Sequence, residues 1–354
     1  MSKIEPGPPF TELFDLAAER LGGAVLYAND DFFAPKENLL KASKPVWIED
    51  KYTDRGKWMD GWESRRRRTP GFDWCILKLG LPGLVRGFLV DTSYFTGNYP
   101  ERCSVEGCAA DVSVPLAQLT SDQHLWQAIL PESALRGDTR NFLEVDSGLR
   151  ATHLRFRIFP DGGVARLRVH GEVLPDWSRI LAAQSEMDLA AVEHGTRAVT
   201  SSDRHYGNPN HLLLPGASTH MGDGWETKRR RGPGYDWCVL KLGAPGTIRR
   251  IEVQTTHYKG NFPESCSLET CHAPGITDDA FATALGVAGN APTGAGVPLD
   301  WRELLPRSPV QADSRLLFEK ELRAAGQATH VRFNIFPDGG VARLRLWGVT
   351  KGPA

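Results

Sequence analysis

Met59-Asp-Gly-Trp-Glu-Ser-Arg-Arg-Arg-Arg-Thr-Pro-Gly-Phe-Asp-Trp-Cys-Ile-Leu-Lys-Leu-Gly80 returns as Gly222-Asp-Gly-Trp-Glu-Thr-Lys-Arg-Arg-Arg-Gly-Pro-Gly-Tyr-Asp-Trp-Cys-Val-Leu-Lys-Leu-Gly243, at an offset of 163 residues. Runs of this length in the same order do not arise independently, so the chain holds two copies of one unit. Working outward at the same offset, Thr96-Gly-Asn-Tyr-Pro-Glu101 matches Lys259-Gly-Asn-Phe-Pro-Glu264, and Cys75, Cys103 and Cys108 match Cys238, Cys266 and Cys271. The six cysteines are therefore three duplicated positions.

Farther along, Thr152-His-Leu-Arg-Phe-Arg-Ile-Phe-Pro-Asp-Gly-Gly-Val-Ala-Arg-Leu-Arg168 matches Thr329-His-Val-Arg-Phe-Asn-Ile-Phe-Pro-Asp-Gly-Gly-Val-Ala-Arg-Leu-Arg345 at an offset of 177, so the second copy has gained 14 residues between the blocks. Trp126 and Trp301 match at 175, which puts most of that gain in the Gly/Ala/Pro-rich stretch 273–298, read as a loop. Upstream, Val25 to Leu40 resembles Val199 to Leu214 at an offset near 174, leaving about 11 extra residues in the first copy, roughly Lys44 to Trp58.

Between these anchors the pattern is that of short strands. Residues 74–79, 85–92, 153–159 and 164–170 each place apolar residues on one face over part of their length, with β-branched and aromatic content suited to sheets. Phe159-Pro-Asp-Gly-Gly-Val164 separates two such runs with turn formers, which predicts a hairpin or tight loop in both copies. Residues 12–21, 187–192 and 301–305 read as short helices. No strand–helix alternation of the doubly wound kind appears, so the expected fold is all-β, two antiparallel sandwiches in tandem. We place the first repeat at 14–171, a linker at 172–193 and the second repeat at 194–349.

The length of 354 residues suits two domains. Lys and Arg total 42 against 43 Asp and Glu, so no net field draws the chain to nucleic acid or to an anionic membrane. No run of about 20 apolar residues occurs and the first ten residues carry no basic-then-apolar leader pattern. Free thiols in a reducing, cytoplasmic setting are the expectation for the cysteines.

Asp60-Gly-Trp-Glu63 and Asp223-Gly-Trp-Glu226 set two carboxylates three residues apart around a bend and an indole. Two readings stand: a base, Glu63 or Glu226, beside a small polar ligand, or an Asx turn with a buried Trp and a solvated Glu. Arg65 to Arg68 and Lys228 to Arg231 are basic runs too short for a nucleic-acid surface. They read as a solvated turn or as small-anion recognition. Cys103 and Cys108, like Cys266 and Cys271, lack the partners of a structural zinc site and read as buried thiols. His153 and His330 start matching strands and serve packing, catalysis or metal ligation. The copies diverge where Val90-Asp-Thr-Ser-Tyr-Phe-Thr-Gly-Asn98 faces Val253-Gln-Thr-Thr-His-Tyr-Lys-Gly-Asn261. The first offers Asp91 and Asn98; the second offers His257 for proton transfer, Lys259 for a carboxylate and Asn261 for a urea-like group.

Gly56-Lys-Trp-Met-Asp-Gly-Trp-Glu63, Pro70-Gly-Phe-Asp-Trp-Cys75, Asp91-Thr-Ser-Tyr-Phe-Thr-Gly-Asn-Tyr-Pro100 and His257-Tyr-Lys-Gly-Asn-Phe-Pro-Glu-Ser-Cys266 together resemble the allantoicase family, over residues 14 to 349. The resemblance implies a tandem pair of jelly-roll β-sandwiches akin to galactose-binding-like modules. It also implies a hydrolase that converts allantoate and water to ureidoglycolate and urea in purine degradation, and a homo-oligomer. It implies Glu63 or Glu226 as general base, His257 as acid or base, and Lys259 or one of Arg65, Arg66, Arg229 and Arg230 as carboxylate clamp. Asp91, Asn98 and Asn261 complete the substrate-binding set. Gln254 stands in the second copy where Asp91 stands in the first, so a role needing a carboxylate there is not available in the second copy. No compact ligand motif identifies a cofactor; carboxylates and histidines from separated loops could converge on a divalent ion, and manganese as its identity enters only through the resemblance. The competing function is a non-enzymatic sandwich that binds small ureides or carbohydrates.

Overall fold

The computed structural model describes residues 7–111, 113–121, 126–183, 185–285 and 299–353. The chain divides into two compact units, Met1–Leu174 and Pro175–Ala354. In the first, the strands are β1 (Phe14–Asp15), β2 (Ala24–Ala28), β3 (Tyr52–Thr53), β4 (Gly56–Lys57), β5 (Trp62–Glu63), β6 (Asp73–Asp91), β7 (Arg102–Cys108), β8 (Gln127–Ala134), β9 (Arg140–Glu144), β10 (Arg150–Phe159), β11 (Gly163–Val164) and β12 (Arg166–Val173).

The architecture turns on β6. Residues 74–79 and 85–92, which pattern predicts as two strands, are one strand of 19 residues that runs through Gly80, Pro82 and Gly83. Its first part pairs with β2 and β10, its last part with β12 and β9. One strand thereby serves two layers: β2-β6-β10-β7-β8 and β1-β12-β6-β9. The bend needs a residue without a side chain, because a Cβ on Gly83 would lie 2.2 Å from the Glu172 carbonyl oxygen. Along β6 buried and partly buried positions alternate, and Ile76, Phe88 and Val90 are fully enclosed with Phe156 and Ile158 of β10.

The second unit repeats this with β13 (Met187–Asp188), β14 (Arg197–Ser201), β15 (Trp225–Glu226), β16 (Asp236–Gln254), β17 (Ser265–Cys271), β18 (Trp301–Pro309), β19 (Arg315–Phe318), β20 (Ala328–Phe336), β21 (Gly340–Val341) and β22 (Arg343–Thr350). Its sheet order, β13-β22-β16-β20-β17-β18 with β14 and β19 on β16, is that of the first unit. Among the described residues three short α-helices join these strands: α1 (Leu116–Thr120), α2 (Trp177–Ala183) and α3 (Asp278–Ala284).

Several local expectations change. The span 301–305 is not helical but opens β18, at the end of its sheet path, where Pro306 and Pro309 cost no internal ladder bond. Residues 12–21 and 187–192 form single 3-10 turns and the short strands β1 and β13, because their apolar residues pair with β12 and β22 rather than line a helix. Ladder register puts Val25 opposite Leu77 and Ala198 opposite Leu240, so the upstream offset is 173 rather than 174. The first copy's extra segment carries the β3–β4 hairpin. The interval 172–193 contains the end of β12, the helix α2 and the strand β13. Of the stretch 273–298 read as a loop, Asp278–Ala284 is helical and 286–298 lie outside the described residues. All six cysteines are buried and free, as read from their spacing.

Candidate active site

Three repeated motifs that are far apart in sequence converge in each unit. Glu63 on β5 stands opposite Gly163 of β11, in the Pro-Asp-Gly-Gly loop. The loop after β6 then docks on β11. Phe95 lies where a Cβ on Gly163 would come within 1.9 Å of its ring, and the Gly163 N–H donates to the Asn98 carbonyl at 2.7 Å. That docking delivers the Asn98 amide, whose Nδ2 donates to Glu63 Oε1 at 2.7 Å. In the second unit Tyr258 packs on Gly340 in the same way, Gly340 N–H donates to the Asn261 carbonyl at 2.7 Å, and Asn261 Nδ2 donates to Glu226 Oε1 at 2.6 Å.

The two acids of each Asp-Gly-Trp-Glu motif part company. Asp60 Oδ2 accepts from the buried Arg166 at 2.7 Å, and Asp223 Oδ2 from the buried Arg343 at 2.8 Å. Burial pushes the Asp60 carboxyl up, but Arg166, the Val46 N–H and Lys41 together hold it below the usual carboxylate range. Trp62 and Trp225 are fully buried, with Nε1 donating to the carbonyls of Asp30 and Asp203. Asp and Trp are thus structural, and the glutamate alone faces partly open space. Burial raises the Glu63 carboxyl above its ordinary range, with the Asn98 amide pulling against it.

The basic runs divide residue by residue. Arg65 Nε donates to Asp30 Oδ2 at 2.6 Å. Arg67 Nη1 donates to the buried Asp73 at 2.6 Å, and Arg230 makes the matching pair with Asp236. The backbone N–H groups of Arg67 and Arg230 donate to Asp161 and Asp338, each at 2.8 Å. Arg66 and Arg229 are exposed and have no carboxylate partner among the described residues.

Around Glu226 these elements enclose a cavity of about 750 Å³, walled by Tyr206, Arg229, Asn261, Glu264 and Asp338 among others. Its size fits a small-molecule site. Asp338, with its counterpart Asp161, was missed by sequence reasoning; the signal was the Pro-Asp-Gly-Gly repeat, read only as a turn. Arg230, His257, Lys259 and Gln254 do not line this cavity. His257 has φ +73°, its N–H donates to Asp313 Oδ1 at 2.8 Å, and its Nε2 lies 2.9 Å from the Ser218 carbonyl. A carbonyl only accepts, so Nε2 carries the proton. Lys259 is exposed. In the first unit Asp91 lines a cavity of which Glu63 is not part, with Oδ1 accepting from the Ser93 N–H and Oγ. His153 and His330 are buried on β10 and β20.

Among the described residues no group of three or more His, Cys, Asp or Glu side chains comes together in a way that would hold a metal ion. Among the described residues, no helix is long and apolar enough to cross a membrane.

The family described as allantoicase repeat matches residues 14–174 and 187–351. Over 348 residues the chain is 46% identical to the probable allantoicase 2 of Burkholderia pseudomallei, covering 98% of each. It is 44% identical to the allantoicase of Dictyostelium discoideum, covering 98% of this chain and 90% of the relative. The crystal structure of Saccharomyces cerevisiae allantoicase superposes with a TM-score of 0.74 at 33% identity, over 95% of this chain and 93% of that one.

Proposed function

The chain belongs to the allantoicase family and hydrolyses allantoate, and we propose that the bond breaks in the Glu226 cavity and its first-repeat counterpart around Glu63. The reaction takes allantoate and water to ureidoglycolate and urea. A C–N bond between the central carbon and one ureido nitrogen is lost, and a C–O bond from water replaces it.

The observation that carries the site assignment is the duplicated carboxylate–amide pair, Glu63 with Asn98 and Glu226 with Asn261, each glutamate half-buried. The glutamate takes a proton from water as the oxygen approaches the central carbon, then returns it to the departing ureido nitrogen. One carboxyl so balances both proton transfers. The asparagine amide holds the carboxylate in one orientation, which limits the reorganisation left for the reactive step. Arg229, and Arg66 in the first repeat, suit the substrate carboxylate because their guanidinium groups are not committed elsewhere. Asp338 and Asp161 offer acceptors to the ureido N–H groups. His257 and Arg230 fit positioning roles, the first through the Ser218 carbonyl and the second through Asp236. Lys259 fits attraction of the anion from the rim, and Asp91 fits a separate ligand site.

Cytoplasmic residence and homo-oligomeric assembly belong to the same proposal, the first supported by six unpaired thiols. Allantoate-dependent urea release, with the organic product identified, tests the assignment in Glu226→Gln and Glu63→Gln. Normal turnover by a folded double variant would sink it.

A further inference from the structure

We propose that the first repeat holds a second small-ligand site, separate from the Glu–Asn pairs, that takes a carboxylate bearing a neighbouring N–H donor, a ureido acid. It is a cavity of about 430 Å³ at the end of β6, lined by Lys44, Leu89, Asp91, Ser93, Tyr94 and Arg140, with Arg166 and Arg168 behind.

The charges in it are unevenly spent. Arg166 is paired with Asp60 at 2.7 Å, and Arg168 lies 3.7 Å from Asp15. Arg140 and Lys44 have no carboxylate partner among the described residues; the Arg140 guanidinium carbon sits 5.0 Å from the Phe142 ring centroid. Two cations without a carboxylate partner in the lining of one cavity suit a carboxylate. Asp91 lies opposite Arg140 in the β6–β9 ladder. Its Oδ1 is taken by Ser93, while Oδ2 accepts no hydrogen bond from the described residues. That oxygen is an acceptor for an N–H next to the carboxylate. A simple carboxylate would leave it unused, and a larger polyanion would meet its charge.

The second repeat dismantles the same place by three changes. Glu252 replaces Leu89 and accepts from Arg315, the counterpart of Arg140, at 2.7 and 2.9 Å. Gln254 replaces Asp91 and donates to Glu252 at 2.8 Å. His257 replaces Tyr94 and bonds the Ser218 carbonyl, on the segment matching the first cavity's Lys44–Pro45 wall. Tyr94 has the same backbone, φ +70° with its N–H on Asp138, but its ring stacks on Trp47 of the inserted segment, 6.1 Å between centroids. The insertion draws the side chain onto itself and the cavity stays open.

The probe is hydantoate, a ureido acid without the second ureido group, titrated calorimetrically into the full chain. We expect binding to persist in the Glu63→Gln/Glu226→Gln variant and to weaken on the order of tenfold in Arg140→Ala and in Leu89→Glu, which installs the second repeat's neutralising carboxylate. Thermal melts verify that both variants fold. Unchanged affinity and stoichiometry in folded Arg140→Ala and Leu89→Glu would overturn the site. Loss of all binding in the double glutamine variant would place the ligand at the Glu–Asn pairs and overturn it too. Acetate binding as tightly as hydantoate would overturn the ureido assignment. Urea release from allantoate reports on the catalytic proposal independently of these titrations.

Discussion

Arg229 and Arg230 are adjacent and chemically identical, yet the fold gives them opposite work. Arg230 reaches inward to Asp236, which is 1% exposed, while Arg229 stays on the cavity wall. Arg230→Ala leaves that carboxylate with Ser202 as its remaining side-chain donor, so a loss of about 2–4 kcal/mol is expected in urea denaturation. Arg229→Ala should leave stability within about 0.5 kcal/mol and instead raise the KM for allantoate. The reverse pattern would refute the division of roles. If Glu226 is the proposed general base, Glu226→Gln is expected to lower kcat by about 10² to 10⁴ in the second repeat's share of turnover, the range for a lost general base. His257→Ala should cost far less, because its imidazole is spent on the Ser218 carbonyl. Sequence identifies the arginine runs and glutamates as candidates; which arginine is free depends on the turn that faces Asp236, and that is fixed by contacts outside the motif.

At the scale of elements, β20 and α3 bury a titrating group. His330 stacks on Phe281 of α3 at 4.0 Å between ring centroids, with Nδ1 2.9 Å from Thr329 Oγ1. Burial, aided by Lys241 and opposed by Asp278, pushes its pKa down to about 4. In the unfolded chain a histidine titrates near about 6.5. Above that both states are neutral, and below it the unfolded state takes up the proton first. Stability should therefore fall as pH drops from about 6.5 towards 4, by up to about 3 kcal/mol from this one group. Urea midpoints at pH 7 and pH 5 check it. His330→Leu should flatten the difference between them, and an equal pH dependence in wild type and variant would contradict the assignment. The strand assignments follow the same logic of context. Alternation identifies both halves of β6, but their union through Gly80-Leu-Pro-Gly83 depends on two layers pulling on one strand.

For the whole molecule, duplication gives two Glu–Asn pairs, Glu63 with Asn98 and Glu226 with Asn261, and the proposed catalytic role applies to both. Glu63→Gln and Glu226→Gln should each leave partial urea release and the double variant almost none. Full loss in one single variant would assign all turnover to one repeat. The cysteines give an independent check on the fold. Burial pushes the Cys103 and Cys266 thiols up to about 12 and Cys108 up to about 11, and raises Cys75, Cys238 and Cys271 as well. The native protein should resist thiol-specific reagents, and all six positions should react in denaturant; fast native labelling would show that these strands open.

The sequence by itself determined the duplication, the all-β class, the buried thiols and the set of polar residues worth testing. Repeats, alternation and turn formers are properties of neighbouring residues, so they can be read in order. Only the tertiary structure decided that Glu63 meets Asn98 across 35 positions and that Arg67 meets Asp161 across 94. It also sent Asp91 to a cavity of its own and made Asp60 a partner of Arg166. Side chains one residue apart on a strand or turn point to opposite sides, and register with distant strands selects which side becomes core, ion pair or cavity.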